Sequence, residues 1–252
     1  MKTTDYSRIA DSYDDSAIRH RIPTDRFLAN RLAAAQGPFS VLDAACGTGN
    51  YVAVQRAAYP EERIAWHGID FSAAMLDRAR KKLPDLDLAE GSVESLPNES
   101  GRFDYVTCSF AFHHFPHKAR ALDELVRVLS PRGALRIANI VPEHMRGWWL
   151  YRYFPEALLE DEQRFWTAGL LFRELAARGL SPDAEISVRV TRQPAAELHR
   201  EAEKRDISEL AILTDAEHAA GLEKLARDAA RGVLVTTEEA VMVCTATWAP
   251  QS

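Results

Sequence analysis

The sequence predicts an α/β fold, a mostly parallel sheet with helices on both faces. Three observations predict it. Apolar strand candidates alternate with amphipathic helix candidates from residue 39 to residue 141, the order that builds a parallel sheet. The run Phe103–Ser109 is apolar along most of its length, as a strand buried on both faces is. The first strand candidate also feeds a glycine turn, Cys46-Gly47-Thr48-Gly49, that opens a helix.

The elements follow in order. Residues 1–24 carry Tyr6, Tyr13, several charges and Pro23 and read as a short helical or irregular lead-in. Arg26 to Ala35 reads as a helix with Phe27, Leu28 and Leu32 on one face, stopped by Gly37-Pro38. Phe39–Ala44 is the first strand, and a helix follows the glycine turn from Asn50 to about Ala58. Ile64–Ile69 is the second strand and ends at Asp70. Ser72 then caps a helix that sets Met75, Leu76, Ala79 and Leu83 on one side. Leu86–Ala89 is a short third strand and Phe103–Ser109 the fourth. Ala119–Leu129 is a helix broken by Pro131 and Gly133, and Ala134–Val141 is the fifth strand.

After Val141 the pattern changes. Residues 142–166 are aromatic: Trp148, Trp149, Tyr151, Tyr153, Phe154, Phe165 and Trp166. Two readings stay open for them, packing of a cap against the sheet or the lining of an apolar pocket. A helix from about Thr167 to Arg178 stops at Gly179, with Pro182 beyond. Glu185–Val190 alternates as a strand, Ala195–Arg231 is helical with a capping box at Thr214 and Glu217, and Ala240–Trp248 is the last strand. No linker separates two domains, so the late insertions read as helical cap elements on one core.

Bulk properties narrow the function. The 252 residues are 46% hydrophobic, enough for one sizeable core. A formal net charge of -6 gives no overall pull toward nucleic acid or anionic lipid. Cys46, Cys108 and Cys244 lie far apart, with no metal-ligand spacing, which fits a reduced compartment. The N-terminus has no apolar signal region, and no run reaches the roughly 18 apolar residues of a membrane span. The expectation is a cytoplasmic, soluble chain with no metal, no nucleic acid and no membrane partner.

The glycine turn carries the chemistry. Glycine lets a ligand approach the backbone with no Cβ in the way. A nucleoside can then lie across the carboxyl ends of the strands, where strand order reverses. A tight strand-to-helix turn is the bland alternative, but Asp70 ends the second strand about 20 residues on, where a ribose-binding acid belongs. A dinucleotide fingerprint wants a third glycine, and Val52 stands there. Asp43, just before the turn, favours a positively charged ligand over a diphosphate. S-adenosylmethionine, with an ammonium and a sulfonium, is such a ligand.

Five ordered motifs span residues 40–141. They are V-L-D-A-A-C-G-T-G from Val41, G-I-D-F-S-A-A-M-L from Gly68, G-S-V-E-S-L-P from Gly91, F-D-Y-V-T-C-S-F-A-F-H-H-F from Phe103, and L-S-P-R-G-A-L from Leu129. With these the chain resembles the class I S-adenosylmethionine-dependent methyltransferases, in particular the ubiquinone/menaquinone-biosynthesis-like group that acts on small molecules. The resemblance implies a Rossmann-like sheet of seven strands, the last antiparallel, and a cofactor that leaves as S-adenosylhomocysteine. It implies a single domain: an N-terminal lid and helix over 1–36, a cofactor-binding core over 37–141, core and cap elements over 142–239, and a last strand over 240–252.

The same resemblance assigns roles. Asp43, Gly47 and Gly49 surround the methionine part, with Ala45 counted in the same turn. Asp70 binds the ribose hydroxyls. Phe71 and Met75 lie against the adenine, and Ser92 and Val93 at its edge, Ser92 standing where the family often has an acid. Ser109 ends the fourth strand beside the sulfonium. The usual proline-glycine-glycine turn is reduced to Pro131-Arg132-Gly133. Tyr13, in Ala10-Asp11-Ser12-Tyr13-Asp14, resembles a tyrosine that relatives fold over the cofactor.

His113 and His114 follow the fourth strand. Methyl transfer displaces a neutral sulfide and gains most from holding donor and acceptor in line. An oxygen or nitrogen acceptor must also lose a proton, and a neutral imidazole suits that. Both histidines are candidate bases, with pocket lining as the alternative. His117, Cys46 and Cys108 read as structural. The expected reaction is methyl transfer to O, N or C of a small, apolar or aromatic molecule. The alternatives are a non-catalytic cofactor-binding or scaffold protein of the same fold and a nucleotide-dependent oxidoreductase. Ser-Phe-Ala-Phe at the fourth strand's end differs from the Asn/Asp-Pro-Pro-Tyr/Phe pattern of nucleic-acid amino-methylating enzymes.

Overall fold

The computed structural model describes residues 13–15 and 22–250. The remainder of the expected lid, including Ala10-Asp11-Ser12, lies outside the described residues. Contacts divide the chain into two compact units. Of the described residues, the first unit holds those up to Asn139, Gly169–Glu185 and those from Val243 onward. The second holds Ile140–Ala168 and Ile186–Met242.

The first unit opens with a 3-10 turn, Tyr13–Asp15. Helix α1 (Arg26–Ala34) is capped by Asp25, whose side chain accepts from the Phe27 and Leu28 N–H groups. Strand β1 (Phe39–Ala44) leads through the glycine turn into α2 (Asn50–Ala58), and β2 (Ile64–Asp70) leads into α3 (Ala73–Lys82). Ser72 caps α3 through the Met75 N–H, as expected. Strand β3 (Asp87–Glu90), strand β4 (Phe103–Ser109), helix α4 (Lys118–Arg127) and strand β5 (Leu129–Ile140) follow. Leu28, Leu32, Phe39, Val41, Tyr51, Val52 and Tyr105 belong to one buried cluster, so α1 and α2 pack on the same sheet face.

Strand β5 starts at Leu129, five residues before the expected Ala134. The Pro131-Arg132-Gly133 step does not break it but sits as a bulge: Phe103 pairs with Leu129, yet Tyr105 pairs with Ala134. Glycine is required there, because a Cβ on Gly133 would lie 2.9 Å from the Phe103 carbonyl oxygen.

Among the described residues the sheet has seven strands, in the order β3-β2-β1-β4-β5, then β7 (Leu234–Trp248) and β6 (Leu180–Pro194). The first five are mutually parallel. Strand β7 runs against them. Trp248 Nε1 donates to the Ser130 carbonyl, and farther along β5 the Val141 N–H donates to the Ala240 carbonyl. As β5 advances, β7 retreats. Strand order reverses between β1 and β4, so the carboxyl ends of these two neighbours form the crevice that such sheets offer a ligand. Strand β6 is longer than the expected Glu185–Val190 and takes in Pro182, which an edge strand tolerates.

The second unit begins with a 3-10 stretch, Pro142–Gly147. Helices α5 (Trp149–Tyr153) and α6 (Pro155–Arg164) follow, and α7 (Ala168–Ala177) leads back to the first unit. The expected single helix over 195–231 is three: α8 (Ala195–Glu203), α9 (Ser208–Ala211) and α10 (Asp215–Ala230). Arg205 adopts φ 51°, a left-handed conformation that ends α8's course. The capping box of Thr214 and Glu217 starts α10 as predicted. Trp149, Tyr151, Tyr153, Phe154 and Phe165 are buried together with Leu198, Leu210 and Leu225. The aromatic stretch therefore supplies this unit's own core. Inside that core the Tyr151 hydroxyl donates to Asp161 at 2.6 Å, and Arg164 pairs with the same carboxylate.

Candidate functional site

The glycine turn begins where β1 ends, in the left-handed backbone region: Ala45 has φ 60°, Gly47 φ 53° and Gly49 φ 77°. Glycine adopts this conformation without penalty, whereas Ala45 holds strain of about 1–3 kcal/mol. On the neighbouring strand end, Phe110 has φ 52°. Strained residues thus end both strands that flank the crevice, a recurrent feature of ligand sites. A Cβ built on Gly47 meets no atom within 4 Å, so this backbone faces open space. Cys46 tucks under the turn against Gly68, where a Cβ would lie 2.9 Å from its sulfur. That explains the glycine in the Gly68-Ile69-Asp70 motif.

Asp70 and the turn are joined directly. Its Oδ2 accepts the Gly47 N–H at 2.8 Å and its Oδ1 accepts the Ser72 N–H at 2.9 Å. Burial raises its carboxyl above the usual range, while the Ser72, Gly47 and Phe71 N–H groups oppose the rise. A carboxylate offers about four acceptor directions, so these three N–H groups leave room for a further hydroxyl donor. Asp43 is 2% exposed, and burial pushes its carboxyl up to about 8. Arg136 opposes that rise and Asp70 adds to it. A cation placed beside so high a buried carboxyl would restore its ionised form.

The residues expected against the adenine lie on α3 and in the loops after β2 and β3. Met75 is buried, and Tyr13 and Ala74 pack against it. Phe71 is 56% exposed, a large apolar ring at the crevice edge. Val93 is buried, but Ser92 is exposed and its Oγ accepts the Glu94 N–H at 3.1 Å. Ser92 thus serves its own turn.

Asp14 is tied to the turn. The Asp14 carboxylate accepts from Thr48 Oγ1 at 2.7 Å, Asn50 Nδ2 at 2.8 Å and Lys82 Nζ at 2.8 Å. Burial alone would raise Asp14, but these donors outweigh it and hold it below the ordinary carboxylate range.

His113 and His114 form the 3-10 turn Phe112–His114 after β4, with ring centroids 3.8 Å apart. His113 is buried, and its Nδ1 lies 3.1 Å from Asn139 Oδ1 at the end of β5. With the amide oxygen accepting, Nδ1 carries the proton and the lone pair stands on Nε2. His114 is half-buried.

A polar network missed at the sequence level lies under the turn. Asp25 Oδ2 accepts the Tyr51 and Tyr105 hydroxyls, each at 2.6 Å, and the Arg136 Nε lies 3.2 Å away. Arg136 Nη1 reaches Ser109 Oγ at 2.9 Å and Thr107 Oγ1 at 3.4 Å. The available signal was a lone arginine within the apolar run Ala134-Leu135-Arg136-Ile137-Ala138.

The cysteines are free and buried. Among the described residues no group of three or more His, Cys, Asp and Glu could hold a metal ion, and no helix is long and apolar enough to cross a membrane.

Comparison with known proteins agrees with this geometry. Residues 41–133 match the methyltransferase domain family. A demethylmenaquinone methyltransferase of Thermotoga maritima is 31% identical over 151 residues, covering 56% of this chain and 62% of that protein. One of Deinococcus radiodurans is 38% identical over 114 residues, covering 44% and 46%. The chain thus spans less than two thirds of the length of these relatives. A solved candidate methyltransferase of an antibiotic biosynthesis pathway from Anabaena variabilis superposes with a TM-score of 0.66 at 20% identity, over 89% of this chain and 98% of that one. A SAM dependent methyltransferase from Aquifex aeolicus gives 0.58 at 14% identity, over 95% and 97%. These two likenesses are of fold. Sheet order and glycine turn agree with the methyltransferase domain matched over residues 41–133.

Proposed function

We propose that the chain transfers the methyl group of S-adenosylmethionine to a small organic acceptor with an aromatic or apolar body. The observation that carries this is the pairing of a glycine turn open to a ligand with two buried carboxylates, one suited to an ammonium and one to a diol. Bound there, the cofactor supplies an electrophilic methyl on a sulfonium. Asp43 receives the ammonium, and the backbone of Ala45, Gly47 and Gly49 lets the methionine part approach. Asp70 orders the turn and faces the ribose hydroxyls. Tyr13, Phe71, Met75 and Val93 enclose the adenine, with Ser92 at its edge. Ser109 stands on the sulfonium side.

His113 and His114 line the acceptor side. With Nδ1 held by Asn139, His113 has the tautomer of a base acting through Nε2. The relatives named demethylmenaquinone methyltransferases favour a hydroquinone-like ring as the acceptor class. Such a ring activates its own carbon or oxygen, so proximity supplies most of the rate. We place the chain in the cytoplasm, working without a metal.

The test is transfer of radiolabelled methyl from S-adenosylmethionine to a panel of hydroquinones, catechols, phenols and amines. Label in an aromatic product is expected. Saturable cofactor binding with no transfer to any panel member would instead support a non-catalytic binder.

A further inference from the structure

The network beneath the turn contains a charge that its partners do not require. Asp25 already accepts two backbone N–H groups and two tyrosine hydroxyls. Four donors satisfy a carboxylate, and a buried ion pair is often no more stable than apolar packing of the same volume. Arg136 is nevertheless 7% exposed on a central strand, with its guanidinium carbon 5.5 Å from the Tyr51 ring centroid. Its register is informative. Asp43 on β1 pairs with Thr107 on β4, and Thr107 pairs with Arg136 on β5. The three side chains form one buried row directly below the turn. Ser109 lies two residues beyond Thr107 on the same face and is held by the same guanidinium.

We propose that Arg136 is a positioning residue of the cofactor site, fixing Ser109 and supplying the buried positive charge against which the Asp43 carboxylate is set. The proposal rests on the class I reading of the site. The groups facing Asp43 are Asp70 at the end of β2, Cys46 in the turn, Tyr51 on α2, Cys108 on β4 and Arg136 on β5. Of these, Arg136 alone favours the carboxylate over the acid. Removing it leaves Asp43 facing burial and Asp70 unopposed, so the ionised form should withdraw to higher pH.

Two measurements on the full chain test this. The first is a carboxyl NMR titration of Asp43 in the ligand-free protein, for wild type, R136M, R136Q and R136K. R136Q keeps a donor for Ser109 and drops the charge, and provides the neutral variant if R136M does not fold. The second is calorimetry with S-adenosylhomocysteine, which carries the ammonium, from pH 7 to pH 9.

The Asp43 midpoint should rise by about one pH unit in R136M and R136Q and stay near wild type in R136K. Ligand affinity should then fall about tenfold at pH 7 and only about twofold at pH 9, because ionised Asp43 is scarce at the lower pH. An unchanged midpoint in a folded neutral variant, or a loss of affinity equal at both pH values, would overturn the assignment. Wild-type protein that binds no ligand would overturn the underlying reading instead, and the titration would still report on Arg136 and Asp43.

Discussion

Replacing Asp70 by alanine should damage the free protein before any ligand is added. Its carboxylate accepts N–H groups from two segments, Gly47 in the turn after β1 and Ser72 at the start of α3. Hydrogen bonds to charged groups contribute about 1.5–3 kcal/mol each. Two of them set an upper range of about 3–6 kcal/mol. Burial outweighs these bonds for the ionised form, so the loss comes mainly from buried N–H groups left without an acceptor, at about 1–3 kcal/mol each. A net loss of about 2–4 kcal/mol follows, equivalent to a fall in Tm of about 4–16 °C for a chain of this size. Asp70→Asn keeps one acceptor oxygen but turns an amide NH2 toward the other N–H, so roughly half the loss is expected. Thermal unfolding without ligand measures this. Calorimetry with S-adenosylhomocysteine measures the second consequence, a loss of affinity of about tenfold or more as the ribose bonds vanish. An Asp70→Ala protein that melts like wild type would refute its role in ordering the turn. Wild-type affinity in the same protein would refute the ribose assignment.

Four further outcomes are expected. The Asp43 carboxyl is raised to about 8 in the folded chain, against about 3.9 unfolded. Its contribution therefore favours folding most at low pH and is lost as pH rises from about 4 through about 8. Asp43→Asn should remove that slope and also flatten the pH dependence of ligand binding, while a slope equal to wild type would contradict the shift. Asp14→Ala should leave the fold nearly as stable, since a partly exposed ion pair contributes about 1 kcal/mol or less. It should also speed hydrogen exchange at Tyr13 and across the Thr48–Asn50 turn, and unchanged exchange would remove the latch. His113→Ala and His114→Ala, assayed for rate against pH once an acceptor is known, should keep cofactor affinity. A loss of about a hundredfold with a vanished acid limb would identify a general base, and near-normal rates in both would restrict the pair to lining the pocket. Gly221→Ala would place a Cβ 2.1 Å from the Phe154 ring. Chemical denaturation should show a loss of about 1–3 kcal/mol, and an unchanged midpoint would show that α10 does not pack as described.

Much of the first unit was legible because its signals are local. The Ser72 cap, the glycine turn and the periodicity of α2 each announce themselves within a few residues, as does the Thr214 cap in the second unit. The strand ends were less legible. Pro131 and Gly133 read as breakers, yet in β5 they make a bulge that only pairing with Phe103 explains. The edge strand β6 exceeded its alternating stretch because a sheet neighbour extends pairing past the local pattern. Asp43 was legible as a candidate from its place just before the glycine turn, and Asp70 from its place at the end of the second strand. Asp70's bonds to the turn and Arg136's place in the row depend on register between strands, which spacing along the chain does not carry. Asp14 was visible as part of a motif, but its grip on Thr48, Asn50 and Lys82 joins residues more than thirty positions apart. The aromatic run left two readings open by composition alone, and burial of Trp149, Tyr153 and Phe154 places it in a core.

The proposed S-adenosylmethionine site is built from the glycine turn, Asp43 and Asp70. Calorimetric titration of the purified chain with S-adenosylhomocysteine at pH 8 tests it most directly. Saturable binding is expected at one site per chain, accompanied by proton release as Asp43 ionises against the ligand's ammonium. Folded protein that gives no saturable heat, or binds with no proton released across buffers of different ionisation enthalpy, would contradict it.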